Sequence, residues 1–209
     1  GRRQSSEVLY RPTYRSLTVI SPQIPAIGFV AYSGTGKTTL IEQLIAYLTG
    51  HGYKISVIKH THHHFDIDRP GKDSFRHRES GATEVMLVSD QRWVLMHELR
   101  DTQEPSIEEQ LSKISPCDLV IVEGFKQAAI KKIELWRHDH PESAQQDLRA
   151  TTDSHIQAVA IPGGVQATHQ PDWQAIGRAV SILDLDKIEE VATYVVSVCG
   201  LKPKNLMES

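Results

Sequence analysis

From Ile24 onward, short apolar runs alternate with polar, glycine-bearing loops. Residues 27–31 (IGFVA) form a compact apolar run between Pro25 and a Gly/Ser/Thr loop, the pattern of a buried strand. Leu40, Ile41, Leu44, Ile45 and Leu48 then recur at helical spacing and predict one apolar helix face. Gly50 and Gly52 offer a left-handed end to that helix. Residues 53–59 (YKISVIK) read as a second strand. Strand, helix and strand in so short a stretch make a βαβ unit, and with it a parallel sheet. Further along, residues 118–123 (DLVIVE) predict a central strand, and 132–137, 156–161 and 179–183 further strands. Residues 83–88 and 93–98 suit a hairpin or two neighbouring strands. Residues 72–80, 106–114 and 186–198 suit helices. The expected fold class is α/β, a mostly parallel central sheet flanked by helices, in one domain over residues 24–209. Residues 1–23 are polar and Arg-bearing without a sustained period, and are expected to be a disordered arm or a tag remnant. An extra strand or a partner-binding arm is the alternative there.

Composition narrows the class. With 209 residues, 39% hydrophobic and 23% charged, the chain can bury a core without staples. No apolar run is long enough to span a bilayer, and no leader pattern stands at the front. The balance of 23 Lys+Arg against 26 Asp+Glu leaves a net charge of -3, which argues against a nucleic-acid binder. Cys117 and Cys199 fit no disulfide or metal spacing, so a reducing cytoplasm is the expected home.

The most informative residues are Ala31-Tyr-Ser-Gly-Thr-Gly-Lys-Thr38. They match the phosphate-loop pattern GxxxxGK[ST] except that Ala31 stands for the first glycine. Gly34 and Gly36 let backbone N–H groups turn inward around a phosphate, and the following helix adds its positive end. Lys37 supplies a charge for the outer phosphates and Thr38 a hydroxyl for Mg²⁺. Such a loop wants an acidic residue closing a neighbouring strand, and Glu123 at the end of DLVIVE fills that role. Asp118 lies at the opposite end of the same strand, roughly 17 Å away, and reads as a solvated strand start.

The second strand runs into Lys59-His-Thr-His-His-His-Phe-Asp-Ile-Asp68, a polar loop expected to face the phosphate loop, because ligands bind at the carboxyl ends of parallel strands. Asp66 or Asp68 on magnesium, a transition-metal site on His62, His63 and His64, and a merely solvated loop are the competing readings. Arg69, Lys72, Arg76 and Arg78 follow closely, and Lys72 with Arg76 share a helix face that could clamp a second anion or simply form salt bridges.

Taken together and in order, IPAIGFVAYSGTGKTTL, VIKHTHHHFDIDRPGKDSFRHRESGA, QRWVLM and DLVIVEGFK resemble the MobB family of molybdopterin-guanine dinucleotide biosynthesis. The phosphate loop is shared with many NTPases; the histidine–aspartate block and the VEGFK end are far more specific. The resemblance implies a homodimeric, phosphate-loop GTP-binding adaptor with weak GTPase activity, acting beside the MobA guanylyltransferase. By the same resemblance Ser33, Gly34, Thr35, Gly36, Lys37, Thr38 and Thr39 hold GTP, Lys37 and Glu123 act in hydrolysis, and Thr38 with Glu123 holds Mg²⁺, to which the loop reading adds Asp68. The block containing Lys59, His60, Asp68 and Lys72 is then a second anion surface, for the phosphate of molybdopterin or its guanine dinucleotide. Guanine preference is inherited from the family, since no base-recognition motif is visible. Slow turnover fits the lack of an identifiable arginine finger or water-orienting Gln. Two rivals remain open: a metallochaperone GTPase using His60 to His64, and an ATP-dependent small-molecule kinase or ligase.

Overall fold

The structure is a computed structural model and describes residues 24–61 and 65–204. The arm at residues 1–23 and His62, His63 and His64 lie outside the described residues. Six strands form one sheet: β1 (Ala26–Val30), β2 (Ile55–Lys59), β5 (Leu119–Glu123), β6 (Lys132–Leu135), β7 (Ile156–Ile161) and β8 (Ser181–Asp184). Their order is β2-β5-β1-β6-β7-β8, and every pairing is parallel. β2 does not lie beside β1, as the first βαβ unit alone would allow. β5 stands between them because all five of its residues are buried, which demands a central position covered on both faces.

Side-chain alternation along β5 divides the core. Leu119 and Ile121 face a cluster with Leu40, Ile41, Leu44 and Leu48 of α1 (Lys37–Gly50) and with Val191, Val195 and Val196 of a C-terminal helix, Ile188–Val198. Val120 and Val122 face Ile107, which opens the short helix Ile107–Ser112 behind a Ser106/Glu109 capping box. Towards β7, Val30, Trp136, Leu148, Ala150 and Ile176 form a third cluster. α1 ends at Gly50 and its chain reverses through Gly52, at φ 83°. β2 begins two residues later than the pattern indicates, because Tyr53 is spent anchoring the C-terminal segment: its hydroxyl donates to the Lys202 carbonyl and accepts from the Lys204 amide.

The segment between β2 and β5 carries α2 (Asp73–Glu79) and a separate antiparallel ribbon of β3 (Glu84–Val88) and β4 (Trp93–His97). The hairpin expectation holds, and the ribbon stands apart from the main sheet. The helices at Ile107–Ser112 and Ile188–Val198 take the labels α3 and α5. Between them lies α4 (Pro141–Gln145), a single turn that the hydrophobic pattern does not announce.

Candidate functional site: a phosphate loop at the carboxyl edge of the sheet

Parallel pairing brings the carboxyl ends of β1, β2 and β5 to one edge. Register places Glu123 opposite both Phe29 and Lys59. The turn after β1 has Gly34 at φ 80° and Gly36 at φ 93°, left-handed values that a side chain resists. Thr35 between them is buried, and its hydroxyl donates to the Tyr32 carbonyl at 2.8 Å, tying the turn to itself. Such alternation turns successive N–H groups into one concavity that suits an anion. α1 starts directly behind it with no acidic residue in its first turn, so its positive end is uncompensated.

Three groups converge on Glu123, which is 7% exposed. Thr38 donates its hydroxyl to Oε1 at 3.1 Å, Lys37 Nζ lies 3.8 Å from Oε1, and Lys59 Nζ lies 3.6 Å from Oε2. Adjacent oxygens around an octahedral magnesium ion sit about 3 Å apart, so the Thr38 and Glu123 oxygens have a spacing that fits two ligands of such an ion. Burial pushes the Lys37 ammonium below its ordinary pKa; Glu123 counters this, while Lys126, Lys59 and Arg149 add to it. Two lysines thus pair with one carboxylate, and the charges of Lys126 and Arg149 are felt at Lys37, an environment that favours a polyanion.

The remaining sequence candidates fall into two groups. Ser33, Gly34, Thr38 and Thr39 are exposed at the loop and the first turn of α1. His60 is pinned behind the site: its amide donates to the Glu123 carbonyl at 2.8 Å and its ring packs on Phe125 and pairs with Glu104. Gly124, at φ 85°, leaves room for that crossing, since a Cβ there would lie 2.7 Å from the His60 carbonyl oxygen. Asp68 belongs to a different cluster. Its Oδ1 accepts from the Ser74 hydroxyl and the Arg69 amide, and its Oδ2 lies 3.5 Å from Arg78 Nε. Among the described residues no hydrogen bond or ion pair joins it to Thr38 or Glu123. Arg78 also bonds Asp66 and Glu98, so this guanidinium fastens the loop after β2 to α2 and the ribbon, and these bonds raise its pKa further. Lys72 is the exposed residue capping α2, and Arg76 pairs with Asp73 at 3.7 Å. Among the described residues no group of three or more His, Cys, Asp or Glu is arranged to hold a metal. Asp118 sits at the far end of β5, bound by Lys204 and the Lys54 amide, as its place in the strand implies.

On the β6 side, the structure adds residues that sequence reasoning missed. Arg137 Nε donates to the Thr35 carbonyl at 3.0 Å and lies 3.8 Å from where a Gly36 Cβ would be. His140 Nε2 lies 3.1 Å from the corresponding point of Gly34. Since His140 Nδ1 accepts from the Ser143 amide, Nε2 carries the proton in the neutral ring. Arg149 lies over the Tyr32 ring at 4.4 Å. Arg137 ends the run 132–137 read as a strand, although β6 itself stops at Leu135, and its place at a strand's carboxyl end is the one signal that could have put it at the ligand edge.

A parallel sheet with a glycine-rich turn, a lysine and a hydroxyl leading into a helix, and a carboxylate closing the next strand defines the phosphate-loop NTPase class. The family model described as molybdopterin guanine dinucleotide synthesis protein B matches residues 26–161, and the chain belongs to this MobB family. It is 40% identical over 177 residues to the molybdopterin-guanine dinucleotide biosynthesis adapter protein of Escherichia coli K12, covering 83% of this chain and 92% of that one. The adapter protein of the same name from Haemophilus influenzae Rd is 38% identical, over 83% and 88% of the two chains. Among solved structures, Bacillus subtilis MobB superposes with a TM-score of 0.59 at 20% identity, covering 85% of this chain and 98% of that one. At that identity the likeness concerns the fold.

Proposed function

We propose that this protein binds magnesium-GTP and acts as an adaptor in molybdopterin guanine dinucleotide biosynthesis, beside a MobA-type guanylyltransferase, with slow intrinsic GTP hydrolysis. The observation that carries the reading is the meeting of Lys37 and Thr38 from the loop with Glu123 from β5. The pathway is that of the adapter proteins to which the chain is similar. Thr38 and Glu123 would hold magnesium, which when bound neutralises phosphate charge; Lys37 and the loop amides orient the phosphates. A cytoplasmic location is part of this reading, supported by its use of GTP; among the described residues no helix is long and apolar enough to cross a membrane.

A homodimer completes the reading. On one face of the ribbon, Met86 stands opposite Leu95 and Val88 opposite Trp93, and all four are exposed. An apolar face of this kind on an isolated two-stranded ribbon calls for a partner, and a second copy supplies the same surface. Trp93→Glu is expected to convert a dimer to monomer in light scattering; a variant that stays dimeric removes the ribbon from the interface.

Equilibrium titration of GTP and ATP, each with Mg²⁺, tests the nucleotide reading. Clear GTP preference, abolished by Lys37→Ala in a folded protein, is expected. Equal or ATP-favouring affinity would move the assignment towards a kinase or ligase, and unchanged binding by Lys37→Ala would sink the phosphate-loop assignment.

A further inference from the structure

An open polar cleft of about 450 Å³ adjoins the phosphate loop between Tyr32 and the segment 145–152. Arg149 forms part of its wall. The arginine is held from below by a buried carboxylate: Glu134 accepts from the Arg149 amide at 2.8 Å and from the Ala150 amide at 2.9 Å. Its side chain then lies on the Tyr32 ring. Stacking uses the face of a guanidinium and leaves its edge donors for other partners. No carboxylate among the described residues ion-pairs with it, and its Nε is buried without a hydrogen-bond partner. Glu134 acts on this guanidinium through space, yet burial raises the pKa of that carboxyl and the two form no ion pair, so a positioned guanidinium beside a cationic site is left to attract an anion.

The nucleotide does not account for that anion. The loop amides and Lys37 serve its phosphates, and the loop backbone is met by Arg137 and His140, whereas Arg149 touches the loop at the Tyr32 ring and acts on Lys37 through its charge alone. The cleft also exceeds what one phosphate fills and falls in the size range of small-molecule sites. Thr151, Thr152 and the Gln145 and Gln146 amides offer hydrogen bonds to the polar body of a ligand.

We propose that this cleft is a second ligand subsite that takes a small phosphate monoester, with Arg149 as its anion anchor and the nucleotide bound alongside. The proposal rests on the reading of the phosphate loop as the nucleotide site. It relocates the second anion from the block after β2, where Arg78 is already paired with Asp66, Asp68 and Glu98, to the β6 side of the loop.

Titration with inorganic phosphate, followed by ³¹P NMR on nucleotide-free protein, separates the two sites. Wild type is expected to bind two equivalents, Lys37→Ala to keep the cleft equivalent and Arg149→Gln to keep the loop equivalent. In protein saturated with magnesium and a non-hydrolysable GTP analogue, the cleft equivalent should persist and weaken at least about tenfold in Arg149→Gln, with analogue affinity changed less than about threefold. Thr152→Glu, an exposed change that puts a carboxylate in the cleft, should give the same loss without touching the stack on Tyr32. A single phosphate site overturns the proposal, as does phosphate binding unaffected by either cleft variant. Loss of analogue affinity in Arg149→Gln would assign the arginine to the nucleotide instead. Failure of wild type to bind the analogue, with the cleft equivalent still present, would count against the nucleotide reading alone.

Discussion

Replacing Gly124 by alanine tests whether the crossing behind Glu123 positions the site. Two contributions act against the variant. The residue sits at φ 85°, and a left-handed conformation costs an alanine about 1–2 kcal/mol. The new Cβ would also meet the His60 carbonyl oxygen at 2.7 Å, and this neighbour is backbone. Relieving such an overlap costs about 1–3 kcal/mol more. The total, about 2–5 kcal/mol, leaves a domain of ordinary stability folded but lowers its melting midpoint by roughly 5–15 °C. Moving His60 also stretches the bond from its amide to the Glu123 carbonyl, so the carboxylate loses its place opposite Thr38. GTP affinity should therefore fall at least tenfold in the folded fraction, measured by calorimetry well below the midpoint. Gly50→Ala is the matched control: it ends α1 without a left-handed φ and its Cβ meets nothing within 4 Å. That variant should be neutral or more stable by up to about 1 kcal/mol. If Gly124→Ala melts within 2 °C of wild type, by about the resolution of such a comparison, and binds GTP normally, the argument from the crossing is wrong.

Lys37 has its pKa held low by burial and neighbouring cations, and bound phosphate favours its charged form, so GTP binding in alkaline buffer should take up protons. Calorimetry in buffers of different ionisation heat reads this directly, and proton release would contradict it. Asp118 is held below its ordinary pKa by Lys204 and the Lys54 amide. A depressed carboxylate stabilises the fold above its unfolded-state pKa, and that contribution disappears as pH falls through the folded value. Asp118→Asn should thus be less stable than wild type at neutral pH, with the gap closing in acid below the ordinary carboxylate range; a gap constant with pH would exclude the ion pair as its cause. Lys132, 1% exposed, joins Asp153 at 2.6 Å and the Lys126 carbonyl at 2.8 Å. Lys132→Met removes one member of this pair and should destabilise by about 3 kcal/mol in denaturant unfolding; a loss under about 0.5 kcal/mol would show that the pair contributes little.

What the amino-acid pattern disclosed about the site depends on how locally each part is encoded. The loop from Ala31 to Thr38 is contiguous, and its glycines, lysine and hydroxyl act through spacing along one turn, so they can be read without a fold. Glu123 is distant in sequence, yet it closes a strand whose residues are all buried, and a parallel sheet brings strand ends to one edge. Asp68 was misleading for the same reason that made it visible: a carboxylate at the ligand edge resembles a metal ligand until its contacts with Ser74 and Arg78 are known. Arg137 carried only the hint of ending a strand run, and His140 and Arg149 were illegible because they come from a polar stretch without periodicity, where α4 is one turn marked only by Pro141 at its start. Their places are set by burial around Trp136, Leu148 and Ala150, and by Glu134 reaching two amides from mid-strand. Tertiary packing, and no local signal, thus aims Arg149 at Tyr32. The grip on phosphate is written in one short segment shared by many NTPases. Whatever distinguishes this site from theirs must lie largely in what the β6 side packs against the loop, and substitutions in residues 137–152 should alter ligand choice without removing nucleotide binding.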